Sequence, residues 1–146
     1  MTLVEALVAL VVVAVAAGAL ARVFAQVSQG SNDPVVRKQL IAVAESMMEE
    51  ILLKSYSAAS GGSTSGCARD TFTGIADYHG YPANGRVCDV EGTPIEALAA
   101  YRLSVQVVAD ASSLTGVTEA RRITVTVSRG QEVFELRGWR TNFAGP

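Results

Sequence analysis

Apolar residues follow three rhythms along this chain, and each predicts a different element. From Ala6 to Ala21 every residue is apolar, and Glu5 is the only ionisable side chain ahead of Arg22. A helix from Met1 to Ala21 reaches about 31 Å at about 1.5 Å per residue, close to the thickness of a bilayer's hydrocarbon core. Val11, Val12, Val13 and Val15 are mediocre helix formers in water. Lipid offers the backbone no hydrogen-bond partner, however, so helix becomes nearly obligatory there. Ala14, Ala17, Gly18 and Ala21 recur at helical spacing and form a smooth face for close helix packing.

The second rhythm begins after Gln29-Gly30-Ser31-Asn32-Asp33-Pro34, where Gly, Asn, Asp and Pro favour a break. Asp33 suits an N-cap and Pro34 the first turn of a new helix. Val36, Leu40, Val43, Met47 and Ile51 then form one apolar stripe, with Arg37, Lys38, Glu45 and Glu49 largely on other faces. Met47 and Met48 read as core rather than as a promiscuous groove. Glu45, Glu49 and Glu50 read as a solvated or partner-facing acidic cluster.

The third rhythm is strict alternation. Tyr101, Leu103, Val105 and Val107 alternate with polar residues, as do Ile123, Val125 and Val127. Arg129-Gly130-Gln131 is a turn, and Val133 to Trp139 supplies a further strand with Phe134 and Leu136 inward. Arg86 to Val90 adds a candidate fourth strand. One face of this antiparallel sheet needs a cover, which the stripe from Val36 to Ile51 fits. Four regions follow: a membrane helix over 1–30, an amphipathic helix over 31–56, a loop region over 57–100 and the sheet over 101–146. Within the third, Ser60 to Gly66 is a Gly/Ser-rich segment without the Lys-Ser/Thr ending of a phosphate loop, and Glu91-Gly92-Thr93-Pro94 is a turn.

Composition narrows the function classes. With roughly 30 residues committed to the first helix, about 116 remain, enough for one modest domain. The net charge of -2 argues against a nucleic-acid footprint. The one basic concentration, Arg121, Arg122, Arg137 and Arg140, fits solvated strand faces. No Ser/His/Asp or Cys/His constellation points to an enzyme, and no cofactor is implied. Asp70, Asp77, His79 and Asp89 match no zinc or EF-hand spacing. The two cysteines, Cys67 and Cys88, predict one disulfide in an exported domain, with a reduced pair or an intermolecular bridge as the alternatives. Between them, Tyr78-His79-Gly80-Tyr81-Pro82 reads as a turn with packed aromatics. Tyr78, His79 and Tyr81 are also the first candidates for a ligand-facing loop.

Glu5 stands out against the run that follows it. A charge in hydrocarbon is unfavourable by roughly 2.5 to 3.5 kcal/mol at mid-membrane, so such residues usually have a partner and a function. The nearest cation is an amino terminus at Met1, on the same chain or on a neighbour. Two plainer readings compete. Ala17-Gly18-Ala19 and Ala19-Leu20-Ala21 both fit a signal-peptidase site, although no basic segment precedes the apolar run. A plain single-pass anchor would make Glu5 incidental.

Met1-Thr2-Leu3-Val4-Glu5 ahead of an apolar helix resembles the mature amino terminus of type IV pilins and pseudopilins. That resemblance implies an α+β, type IV pilin-like fold, with a long N-terminal hydrophobic α-helix packed by its C-terminal half on a small antiparallel β-sheet. It implies a leader removed by prepilin peptidase just before residue 1, N-methylation of the Met1 amine, and pairing of Glu5 with the amine of a neighbouring subunit during assembly. Met1 departs from the Phe common in major pilins, and no Pro lies near position 22; both departures fit minor pilins or pseudopilins.

Downstream, Ser31-Asn32-Asp33-Pro34, Val36-Arg37-Lys38-Gln39, Ala42-Val43-Ala44-Glu45-Ser46 and Glu49-Glu50-Ile51-Leu52 resemble the MshD-type minor pilins of mannose-sensitive haemagglutinin (MSHA) pili. Ile75-Ala76-Asp77-Tyr78-His79-Gly80, Arg122-Ile123-Thr124-Val125-Thr126-Val127 and Gly138-Trp139-Arg140-Thr141-Asn142 are similar to the same family. The resemblance implies an inner-membrane pool of subunits, held in membrane lipid, that passes into an extracellular pilus and acts at its tip with other pilins in initiation or capping. The implied partners are those pilins, the inner-membrane pilus assembly machinery and prepilin peptidase. A type II secretion pseudopilin and a pilus-tip adhesin presenting the Cys67 to Cys88 loop are the alternatives.

Overall fold

The computed structural model describes residues 2–30, 34–57 and 66–142, with the backbone alone for 23–30. Helix α1 is Leu3–Gly30 and helix α2 is Pro34–Leu52. Short 3-10 turns cover Ile75–Tyr78 and Glu96–Leu98, and strands β1 (Arg102–Ala109), β2 (Ala120–Arg129) and β3 (Glu132–Thr141) follow. The chain is α+β and divides into two compact units between Pro34 and Val35.

The first unit is α1. Its stretch Leu3–Arg22 is long and apolar enough to cross a membrane, and none of it is buried. Leu3, Leu10, Val13 and Val15 are each more than 65% exposed. The length and composition of this stretch fit a membrane anchor or a signal sequence.

In the second unit, α2 buries Val36, Leu40, Ala44, Met47, Met48 and Ile51. The expected stripe is therefore corrected at its centre, where Ala44 is fully buried and Val43 only partly. At about 3.6 residues per turn, steps of four carry the buried line from Leu40 to Ala44.

The sheet is antiparallel in the order β1-β2-β3. Its register sets Val105 opposite Val125 and Val125 opposite Leu136, so every inward residue meets an inward residue. Leu103, Val105, Val107, Ile123, Val125 and Val127 join the α2 residues in one core, with Phe134 and Leu136 partly buried beside them. β2 turns into β3 through Gly130 and Gln131. Gly130 at φ 60° supplies the positive dihedral that a type II′ hairpin demands at its first central residue.

Arg86 to Val90 does not form the expected fourth strand. Only one bridge, Cys88 opposite Pro94, is made. The Asp89 carboxylate accepts from Thr93 N at 2.7 Å, and Gly92 at φ 95° turns the chain back after that single pairing. β1's outer edge is instead covered by the segment from His79 to Gly85. Gly80 N donates to Val105 O, Val105 N to Tyr81 O and Leu103 N to Gly85 O, at 2.8 to 2.9 Å. His79 completes the cover, its Nδ1 accepting from Val107 N at 3.2 Å.

Candidate functional site

Glu5 lies in the first turn of α1, where its residue type has a local use as well as a charge. Thr2 N donates to Glu5 Oε2 and Glu5 N donates to Thr2 Oγ1, both at 3.4 Å. This is the reciprocal arrangement of a capping box, Thr-x-x-Glu, which occupies donors that the first helical turn leaves open. Its Thr-x-x-Glu spacing is a signal in the sequence beyond the charge of Glu5. A carboxylate in this position also complements the positive end of the helix dipole. Met1 and its amine lie outside the described residues.

The globular unit gathers its polar chemistry around a disulfide. Cys67 and Cys88 are bonded, with Cα atoms 6.1 Å apart, and both are buried. Arg69, only 8% exposed, reaches beneath the bridge. Its Nε meets Glu50 Oε1 at 2.7 Å, and its Nη1 donates to Tyr81 OH, Cys88 O and Asp89 O at 3.0, 3.0 and 2.7 Å. Tyr78 OH donates to Glu50 Oε1 at 2.7 Å. Glu50 therefore leaves the acidic surface cluster expected of it, because Arg69 and Tyr78 supply the charge and donors that allow a half-buried carboxylate.

Electrostatics follow from these contacts. Burial pushes the Glu50 carboxyl up, but the hydrogen bonds from Arg69 and Tyr78 and the Arg69 charge outweigh it and leave the pKa below the usual value. Burial pushes the Tyr78 and Tyr81 hydroxyls up. Glu50 reinforces this at Tyr78, and Arg69 partly offsets it at Tyr81. Both phenols stay neutral donors through the physiological range.

The segment from Tyr78 to Pro82 has the packed aromatics expected of it, and that packing withdraws Tyr78 and Tyr81 from the ligand-facing alternative. Tyr78 and Tyr81 are at most 1% exposed and pack edge to face with Phe72, at centroid distances of 4.9 and 5.7 Å. Their apolar rings close the core while their hydroxyls find internal partners, so neither can meet a ligand at the surface. His79 is exposed, with one ring nitrogen committed to β1.

Three of the four basic residues singled out on the strands have a partner. Arg121 lies over the Tyr56 ring at 5.4 Å, Arg122 pairs with Asp110 at 2.8 Å and Arg137 pairs with Glu135. Among the described residues no cluster of three or more His, Cys, Asp or Glu side chains could hold a metal ion. A groove of about 370 Å³ lies between Arg86, Val87, Ile95, Leu98 and Tyr101.

No protein-family model, curated protein or solved structure matches this chain.

Proposed function

We propose that this chain is a structural subunit of a type IV pilus, of the minor MshD-like kind, that enters initiation or capping of the fibre through its N-terminal helix. One observation carries the reading. Glu5 is the lone carboxylate on a fully exposed apolar helix, Leu3–Arg22, borne by an α+β unit with its own core. Such a helix needs lipid before assembly and other apolar helices after it. In that low-dielectric setting a carboxylate is satisfied best by a cation, and the amine of Met1 on an adjoining subunit has the charge and position to provide one. The pair then acts as a register pin, because a sliding helix satisfies Glu5 only where an amine lies alongside.

On this reading the subunit waits in the inner membrane, is processed by prepilin peptidase and methylated at Met1, and passes with other pilins into an extracellular fibre. A tip adhesin that reads a ligand through Tyr78 and Tyr81 is disfavoured by their burial.

The capping box gives Glu5 a competing purpose, and two substitutions separate the two. Glu5→Gln keeps the box, since Gln serves at that position, and removes the charge. Thr2→Ala removes the box and keeps the charge. Membrane fractionation and counting of subunits in sheared fibres should find both variants inserted and only Thr2→Ala incorporated. Wild-type incorporation of Glu5→Gln would overturn the reading.

A further inference from the structure

The two edges of the sheet are treated differently. β1's outer backbone groups are met by the His79 to Gly85 segment. Among the described residues, β3 has a partner on one side only. Parity shows which of its groups are open. The two-residue turn pairs Arg129 with Glu132, and the ladder ends with Asn142 N donating to Glu119 O at 3.2 Å, so the even-numbered residues of β3 bond to β2. The odd-numbered residues Val133, Glu135, Arg137 and Trp139 thus turn their N–H and C=O groups outward. Among the described residues, no backbone hydrogen bond reaches those groups.

Natural edges are commonly blunted by Pro, by a bulge, by short length or by charges that repel a second strand. β3 has no Pro, runs for ten residues and pairs continuously with β2 without a bulge. Its charges do not repel a copy of itself. Read outward from Leu136, the strand is self-complementary: Glu135 mirrors Arg137, Val133 mirrors Trp139 and Glu132 mirrors Arg140. On the inner face Phe134 mirrors Gly138, a large ring opposite a residue with no side chain.

We propose that β3 is a homotypic docking edge, at which a second copy of this chain adds its own β3 antiparallel about a two-fold axis through Leu136. The register is compatible with the open groups, because Glu135 faces Arg137 and Val133 faces Trp139 of the copy as hydrogen-bonded pairs of odd-numbered residues. All four side chains then lie on the outer face of a continuous six-stranded sheet. Glu135 and Arg137, ion-paired along one strand in the single chain, exchange that contact for two symmetric pairs across the junction. Val133 and Trp139, 61% and 39% exposed, cover each other. Cross-strand pairs of opposite charge and of aromatic with β-branched residues favour such a junction, and like charges directly opposite disfavour it.

Charge reversal tests this with the full chain in detergent micelles, read as chains per micelle by density-matched sedimentation over a range of concentrations. Wild type should form pairs. Glu135→Arg and Arg137→Glu should each weaken pairing at least about tenfold, since every junction then carries like charges. A mixture of the two variants should recover pairing, because one chain presents two arginines to the other's two glutamates. Unchanged thermal midpoints would verify that the fold is intact. Wild type remaining single would overturn the proposal, as would pairing that survives Glu135→Arg, which would assign association to α1. Failure of the mixture to recover pairing would overturn it too. None of these readings involves Glu5 or a fibre, so the result is independent of the pilus assignment.

Discussion

Glu50, in the last turn of α2, holds Arg69 through both carboxylate oxygens on one guanidinium nitrogen, with Nε 2.7 Å from Oε1 and 3.0 Å from Oε2. The other end of the same guanidinium serves the Tyr81 hydroxyl and the carbonyls of Cys88 and Asp89. One side chain thereby joins the helix, the aromatic cluster and the disulfide-bearing segment, which share few regular backbone hydrogen bonds. A planar fork with donors on two sides can do this, whereas the compact ammonium of lysine cannot.

Arg69→Met should accordingly destabilise the globular unit by about 3 kcal/mol, the usual loss when one partner of a buried ion pair is removed. The carboxylate of Glu50 would lose its cation and keep the Tyr78 hydroxyl, and the Cys88 carbonyl would lose its donor, while Asp89 O would keep Gly92 N. Adding Glu50→Gln to that variant should cost less than it does alone, with a coupling of about 1 kcal/mol or more. Urea denaturation of the four proteins in the cycle measures both quantities, and simple additivity would show that the contact contributes little.

Stability should also depend on pH through Glu50. Its folded pKa lies below the ordinary carboxylate value, so the unfolded chain binds more protons in the window between the two. The contribution is therefore complete above the unfolded pKa of about 4.3 and is lost as pH falls through the lower folded value. At pH 7 wild type should exceed Glu50→Gln by about 1.5 to 3 kcal/mol, as for hydrogen bonds to a charged group. That advantage should shrink steadily below about pH 4. Denaturant midpoints at pH 7, 5 and 3 provide the comparison, and a constant difference would exclude Glu50 as the titrating group.

The Cys67 to Cys88 bridge closes a loop with a sequence separation of 21. In the chain-entropy account a loop of that size is stabilised by about 3 kcal/mol through restriction of the unfolded state. Replacing both cysteines by alanine should lower stability by that order. Both sulfurs belong to residues at most 5% exposed, so reductant should act on the native protein only as fast as the segment opens. Thiol labelling in reductant, with and without low urea, measures that opening directly.

Legibility from sequence followed the range of the interactions. Helix α2 and the three strands are written in local periodicity, because each has one face in a common core, and they appear where that periodicity puts them. The Thr2 to Glu5 box is equally local, but the charge of Glu5 masks it in the sequence. Glu50 and Arg69 stand 19 residues apart with no pattern between them, so their pairing follows only from how the aromatic segment folds onto α2. The packing of Tyr78 and Tyr81 is legible as aromatics in a turn, but the partners of their hydroxyls, Glu50 and Cys67 O, are not. Arg86 to Val90 has strand-like residues, but the Asp89 carboxylate within it and Gly92 just after it end the pairing.

That turn yields the sharpest test of backbone geometry. Gly92 has φ 95°, and a Cβ added there would stand 2.9 Å from Ala68 N and 3.0 Å from Ala68 Cα. Gly116 has φ 79°, and a Cβ there would meet nothing within 4 Å. Both positions carry the dihedral cost of about 1 to 2 kcal/mol for an L-residue, but only Gly92→Ala adds a clash with backbone that cannot rotate away. Because Arg69 N donates to Val90 O at 2.9 Å, displacing this turn also pulls on the segment carrying Arg69 and Cys67. Gly92→Ala should therefore lose at least about 1 kcal/mol more than Gly116→Ala, in the range typical of overpacking. Thermal midpoints compare the two, and equal losses would mean that the Ala68 contact relaxes freely and that the turn does not fix the disulfide segment.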